Sequence, residues 1–512
     1  MGGGSAGWLS AGVIAAEHRI DSQSERPFEL VLIESPDVPT IGVGEGTWPS
    51  MRTTLQRIGL SETDFLRECD ASFKQGTYFR SWQSGRDDSY CHPFTVPIDY
   101  AEADLVPHWL ELSNALPYAD AVTPQTALFE GCLAPKQITT PEYAFVVNYG
   151  YHLDAGKFAE LLRRHCTDEL GVEHVTANVT RIDTAENGDI RSVTTDGAGE
   201  ITGDLFIDCT GTRSLLLGEH YAIPFQSCQH YLFNDSALAA QVPYAEDDQP
   251  IRSCTLSTAR SSGWIWDIGL PTRRGTGHVY SSAHISDDEA AAQLLRYIEE
   301  IAGTRAATRV QPRKIAYRPG HRQEFWHRNC VAIGMSAGFI EPLEASALVM
   351  VELAAGMIAD QLPPTREIMD IVAGRYNRKF LRHWDQIIEF LKLHYVLSKR
   401  DDSPYWQENR AASSIPEKLR EQLLLWRHRS PWHPDAEAVD DLFPTASYQY
   451  ILYGMGFATE PRHTSSHRQD QRRHQASELF KKNAARATQL RQAMPGNREL
   501  LDKVREFGFQ KL

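Results

Sequence analysis

The chain opens on Met1-Gly2-Gly3-Gly4-Ser5-Ala6-Gly7, and Gly2, Gly4 and Gly7 stand at the spacing of a G-x-G-x-x-G turn. In such a turn the first glycine allows the sharp bend and the second lets a pyrophosphate approach the backbone. The third lets the following helix pack tightly on its strand. Trp8 to His18 (WLSAGVIAAEH) reads as that helix, with its free N–H groups facing the phosphates. The strand that leads into the turn is missing, because the sequence begins at the turn itself. Either a longer natural chain supplies it or another segment takes its place. A glycine-rich start can also be a loose end, so the downstream residues decide.

Phe28 to Ile33 (FELVLI) is a short apolar run with the character of a buried parallel strand. It ends at Glu34, where a carboxylate can accept both hydroxyls of an adenosine ribose; the alternative is a solvated acid at a strand end. Residues 41–50 (IGVGEGTWPS) form a second glycine-rich loop, whose Gly42, Gly44 and Gly46 permit backbone to lie against a flat ligand.

Length and charge narrow the class. At 512 residues, two or three lobes are expected, and 42% hydrophobic with 23% charged residues is a globular composition. A formal charge of −15 argues against nucleic acid or an acidic membrane as partner. No apolar run reaches the length of a membrane span, and no secretion signal is visible. The eight cysteines form no C-x-x-C pair and the nineteen histidines no H-E-x-x-H, so reduced thiols in a cytoplasmic protein and no metal are expected.

Further along, Ser72 to Phe79 (SFKQGTYF) sets Lys74 among apolar and aromatic neighbours. Most lysines are simply solvated, but one in a partly dry pocket is a reactive amine or a strong hydrogen-bond donor. His92 and Phe94 lie in a Pro- and aromatic-rich span and could stack on a planar substrate or merely pack a covering loop. Asp154 to His165 reads as a helix with Asp154 as its N-cap. Val175 to Ile182 and Leu205 to Cys209 read as strands around an Asn-Gly turn at 187–188. Gly263 to Leu270 (GWIWDIGL) alternates, which puts Trp264, Trp266 and Ile268 on one strand face.

Cys330 to Ile333 enters Gly334-Met335-Ser336, and Pro342-Leu343-Glu344-Ala345-Ser346-Ala347 is placed at the start of a helix. Pro342 suits a first turn and Glu344 is favoured there by the helix dipole, while the N–H groups of Ser346 and Ala347 could hold an anion. From about residue 366 the pattern is helical, and 463–512 is polar and basic with the look of surface helices.

Taken in order, these motifs resemble the flavin-dependent halogenases of the tryptophan-halogenase type. The resemblance covers most of the chain: the turn at 2–7, V-G-E-x-T at 43–47, F-K-x-G at 73–76, H-P-F at 92–94, G-W-x-W-x-I at 263–268 and P-L-E at 342–344. It implies an α/β fold, with a glutathione-reductase-like, Rossmann-type FAD module over 1–365 that carries an inserted substrate-side sheet and loops. A mainly helical lobe over 366–512 follows. The implied reaction consumes reduced FAD (FADH2), O2 and bromide or chloride, through a flavin hydroperoxide and hypohalous acid. Lys74 would carry or polarise the oxidant and Glu344 would assist, positioning it and helping to remove the arenium proton. The halide would lie at Ser346 and Ala347.

By the same resemblance, FAD contacts fall on Gly2, Gly4, Ser5, Ala6, Gly7, Glu34, Val43, Gly44, Glu45, Val179, Met335 and Leu348, and substrate stacking on His92 and Phe94. The double-Trp segment would keep organic substrate from the flavin. No second dinucleotide motif is present, so a separate NAD(P)H-dependent flavin reductase is implied as partner, with the chain a monomer or homodimer.

Four departures stand out. The first strand is absent, Gly269 stands where the family has proline, and Ala345-Ser346-Ala347 replaces Ser-Thr-Gly. Ser447 to Phe457 lacks the aromatic cluster with which tryptophan-specific members clasp the amino acid, so an indole or other electron-rich aromatic is the expected substrate. The competing readings are a flavin monooxygenase on the same fold and a non-catalytic FAD-binding protein.

Overall fold

The computed structural model describes residues 1–18, 28–38, 44–112, 116–460 and 467–510, without the side chains of 467–469. By packing, the chain divides into two compact units, each assembled from three stretches. Unit 1 comprises Met1–Ala71, Leu153–Cys228 and Tyr317–Trp384; unit 2 comprises Ser72–His152, Gln229–Ala316 and Asp385–Leu512. The units thus interleave across the sequence segments 1–365 and 366–512. The architecture is mixed α/β, with a large mixed sheet and a helical C-terminal region.

Unit 1 is built around the helix Ser5–Glu17. Its residues Gly7 to Ala15 are all buried, which suits a sequence that is apolar all round rather than on one stripe. It packs on the helices Ser346–Asp360 and Ala155–Asp168. Small residues permit the close approach: a Cβ on Gly12 would stand 3.3 Å from Cys166 Sγ. The helix Ala155–Asp168 starts as its sequence indicates, with the Asp154 carboxylate accepting from Gly156 N and Lys157 N.

Two parallel pairs flank the chain start: Val31–Glu34 with Glu173–Thr176, and Phe206–Asp208 with Cys330–Ala332. Met1 and Gly2 lie between them. The Met1 amino group donates to Ile207 O (2.8 Å), Cys209 N donates to Met1 O (2.8 Å), and Gly2 N donates to Ile33 O (2.8 Å). Met1 and Gly2 therefore carry backbone bonds to both pairs. The Asn187-Gly188 turn, with Gly188 at φ +86°, joins Val179–Thr184 to an antiparallel partner, Ile190–Thr195, that the sequence reading passed over.

Unit 2 holds a seven-stranded sheet in the order Arg313–Ala316, Ser236–Pro243, Arg273–Tyr280, Gly263–Gly269, Thr255–Arg260, Gly76–Arg80, Ser89–Pro93. All neighbours are antiparallel except Thr255–Arg260 with Gly76–Arg80. The strand Gly263–Gly269 runs beside Arg273–Tyr280 so closely that a Cβ on Gly277 would meet the Trp266 ring at 2.0 Å. Trp264 is buried and Trp266 half-buried. The final helix, Asn497–Phe507, buries Asn497, Leu500, Leu501 and Val504 instead of lying wholly at the surface.

Among the described residues, no helix is long and apolar enough to cross a membrane. All eight cysteines are free thiols.

Candidate active site

In unit 1 the glycine turn forms a cradle at a helix start. Gly2 has φ +106°, a backbone that side chains rarely adopt, and a Cβ on Gly7 would fall 1.8 Å from the Gly2 carbonyl oxygen. A Cβ on Gly4 would meet nothing within 4 Å, so the space in front of the turn is open. Gly4 is the N-cap of Ser5–Glu17, with no side-chain cap and no acidic residue in the first turn. The amides of this half-buried helix start are thus left to an anion, the arrangement that binds a pyrophosphate.

Glu34 stands beside the turn, since a Cβ on Gly3 would meet its carboxyl carbon at 2.0 Å, and its Oε2 lies 3.0 Å from His174 Nε2. Ala6 touches the Gly334–Ser336 turn, where a Cβ on Gly334 would approach its Cβ to 2.9 Å, which brings Met335 into the neighbourhood. These features fit FAD: an uncapped helix N-terminus for its phosphates, a carboxylate at the strand end for its ribose, and glycines where side chains would intrude.

The remaining flavin positions are less uniform. Val179 begins its strand half-buried, and Leu348 is buried within Ser346–Asp360. Gly44 and Glu45 lie in the short strand Gly44–Gly46. Glu45 keeps some solvent contact, yet burial among protein atoms pushes its carboxyl up to about 7. Val43 lies outside the described residues.

Glu344 is buried and lies outside the helix, correcting the expectation that it sits in the first turn. The helix begins at Ser346, after Ala345 turns through the left-handed region (φ 55°, ψ 42°), and Pro342 ends up in the preceding turn, where its carbonyl accepts from Ala345 N. The chain reverses there, so the dipole argument for Glu344 does not apply. Its backbone carbonyl accepts from Trp48 Nε1 at 2.7 Å, which fixes the segment from the side. Ser346 and Ala347 occupy the first two positions of a 15-residue helix, where amides have no intrahelical acceptor.

In unit 2, Lys74 ends the strand Ser72–Lys74, opposite Gly150, with only 1% of its surface exposed. Its Nζ lies 5.3 Å from the Phe94 ring centroid, within cation–π range. Ser72 Oγ anchors the strand to Gly269 O (2.5 Å), and Phe94 N donates to Gln75 O (2.9 Å), tying the Phe94 loop to the lysine. His152 Nε2 pairs with Thr255 Oγ1 at 2.8 Å; burial, then the charge of Lys74, hold this histidine well below its ordinary range.

His92 is buried, 2.9 Å from Ser447 Oγ through Nε2, with the Phe390 and Tyr450 rings at 5.6 and 6.2 Å. Phe390 stacks on Phe443 at 3.8 Å and meets Tyr448 edge-on at 5.0 Å. The structure thus brings Lys74 and Phe94 together in unit 2, with His92 turned to Ser447, Phe390 and Tyr450, and it brings Gly2 to Gly7, Glu34 and Met335 together in unit 1.

Sequence reasoning missed several supports. Trp48 and Ser447 hydrogen-bond Glu344 and His92 from remote stretches of chain, and His152 lies close enough to Lys74 to feel its charge. Asn497 Nδ2 donates to Phe73 O (3.3 Å) beneath the lysine strand. Only Trp48, inside the glycine-rich loop, carried a local signal.

Fold and cradle define an α/β enzyme of the FAD-binding kind. The family model described as tryptophan halogenase matches residues 1–471. A solved tryptophan halogenase from Shewanella frigidimarina superposes with a TM-score of 0.95 at 51% identity, covering 100% of this chain and 98% of that one. BrvH, a flavin-dependent halogenase from Brevundimonas sp., superposes with a TM-score of 0.85 at 30% identity and 98% coverage of both. The 7-chloro-L-tryptophan 6-halogenase KtzR of Kutzneria sp. is 33% identical over 99% of each chain. The chain belongs to the tryptophan halogenase family. It is an enzyme of the oxidoreductase class, and flavin-dependent halogenases of this kind use reduced FAD, O2 and halide.

Proposed function

We propose that this protein halogenates an electron-rich, indole-like aromatic, with Lys74 carrying or polarising the oxidised halogen and Glu344 assisting. Reduced FAD, together with O2 and halide, supplies that oxidised halogen when bound. The amides at the start of Ser5–Glu17 hold its pyrophosphate and Glu34 its ribose hydroxyls, with Gly44, Glu45, Val43, Val179, Met335 and Leu348 as further contacts. The amides of Ser346 and Ala347 hold the halide at a helix start.

Lys74 either forms a haloamine, the amine nitrogen taking the halogen of hypohalous acid as water leaves, or donates a hydrogen bond that withdraws charge from the hydroxyl oxygen. The ring carbon gains the halogen and loses its proton, and the Glu344 carboxylate accepts it. His92 and Phe94 offer flat faces to the ring. A separate flavin reductase supplies reduced FAD.

The observation that carries this reading is Lys74: a lysine side chain 1% exposed on a strand end, with an aromatic ring beside it. A buried lysine without a task is rare. The test combines the protein with FAD, a flavin reductase, NADH, O2, bromide or chloride, and indole or tryptophan, with products read by mass spectrometry. Halogenated product from the parent and none from Lys74→Ala, with FAD binding retained, is the expected outcome. Equal product from the variant would sink the role of Lys74, and hydroxylated product would move the reaction to oxygen transfer.

A further inference from the structure

Unit 2 contains a half-open cavity of about 250 Å³, lined by Ser81, Gly85, Ala259, Arg260, Ser261, Gln293, Arg296, Tyr297 and Arg400. Three guanidinium groups converge there with no carboxylate in the lining, in a chain whose formal charge is −15. Its base is the turn between the strands Thr255–Arg260 and Gly263–Gly269, and one wall is the helix Asp287–Ala302.

The three arginines differ in what holds them. Arg400 is committed: it donates to both oxygens of Asp402 (2.9 and 2.6 Å) and to Ser81 O, and it lies 4.8 Å from the Trp406 ring. Arg296 is exposed on its helix. Arg260 leans toward the Tyr297 ring at 5.5 Å, and its Nε is buried with no hydrogen-bond partner among the described residues. Gln293 Nε2 donates to Ser261 Oγ at 3.0 Å, while its Oε1 is likewise buried and unpartnered. Burial holds the Arg260 guanidinium below its ordinary range against the opposing pull of Glu300 and Tyr297, and the charges of Arg400 and Arg296 add to it.

A buried donor left unmatched among like charges is costly, and an anion removes both costs at once. Guanidinium groups match the oxygens of phosphate geometrically, and a cavity of this size is below that of an ordinary drug-sized site. We propose that this cavity is a binding site for a tetrahedral oxyanion of the phosphate type, either free phosphate or the phosphoryl group of a small ester. Arg260 and Arg296 supply the free donors and Arg400 the fixed charge behind them. Gln293 Oε1 accepts a hydrogen bond from the hydroxyl of a monoprotonated phosphate.

The test is calorimetric titration of inorganic phosphate into the full chain at constant ionic strength, with FAD saturating so that the glycine turn does not compete. Comparison with Arg260→Gln and Arg296→Gln cancels the general stabilising action of phosphate on proteins. Saturable one-to-one binding is expected, weakened at least tenfold in Arg260→Gln and several-fold in Arg296→Gln. Arg296 is exposed, so its variant reports even if Arg260→Gln fails to fold. A parent with no saturable binding up to about 10 mM, or the same affinity in both variants, would overturn the proposal. AMP as second probe separates the sources: tighter binding than inorganic phosphate marks a phosphoester site, and equal or weaker binding a free-phosphate site.

Discussion

Glu352 gives unit 1 a pH dependence whose sign and size follow from its surroundings. It lies on the helix Ser346–Asp360, buried, and accepts from Thr54 Oγ1 (2.5 Å) and Ser50 Oγ (3.2 Å). Burial pushes its carboxyl up to about 7 from an ordinary 4.5, more than the two hydroxyls pull it back. That gap of about 2.5 pH units corresponds to about 3.5 kcal/mol, at about 1.4 kcal/mol per unit. Because the folded-state value is raised, the folded protein keeps a proton that the unfolded chain releases. The contribution of Glu352 to stability is therefore greatest below about 4.5, falls as pH rises through the window to about 7, and is level above it.

Glu352→Gln removes the ionisation while its amide oxygen can still accept from Thr54. Urea unfolding followed by tryptophan fluorescence between pH 5 and 8 should show the parent losing about 2–3 kcal/mol more than the variant across that range. Glu45 and Glu389 are also raised to about 7 by burial, but they are common to both proteins and cancel in the difference. Stability curves that run parallel from pH 5 to 8 would refute the reasoning. In Thr54→Val, which loses the hydroxyl that favours the ionised carboxylate, the falling window should extend above pH 7.

Gly7→Ala places a Cβ where the Gly2 carbonyl stands, 1.8 Å away, so the turn must open; FAD affinity, read by flavin fluorescence, should fall at least tenfold while the far-UV circular dichroism is kept. Unchanged affinity would show that the turn does not set the flavin site. Ala345→Gly relieves a left-handed backbone at the start of Ser346–Asp360 and should raise stability by up to about 1 kcal/mol, whereas the β-branched Ala345→Val should lower it; the order of their urea midpoints checks both.

The sequence by itself determined the local features whose cause is local. The helix after the glycine turn, the Asp154 cap, the alternating double-Trp strand and the Asn-Gly turn all appear where residue type and spacing put them, because backbone conformation there follows from the residues in the turn itself. The family order of Lys74, the Trp pair and Pro342-Leu343-Glu344 was legible for the same reason: it is a one-dimensional pattern.

What tertiary structure decided is what depends on partners distant in the chain. Met1 and Gly2 bond to both parallel pairs only because Ile33 and Ile207 flank them. Glu344 left the helix because Ala345 turns left-handed, a conformation that no spacing rule assigns to alanine. Lys74 looked ordinary until Phe94, His152 and the last helix closed around it, and Arg260, Arg296 and Arg400 were three unremarkable arginines until folding put them around one cavity. Burial and charge depend on every neighbour at once, and sequence spacing records only the neighbours within a turn or two.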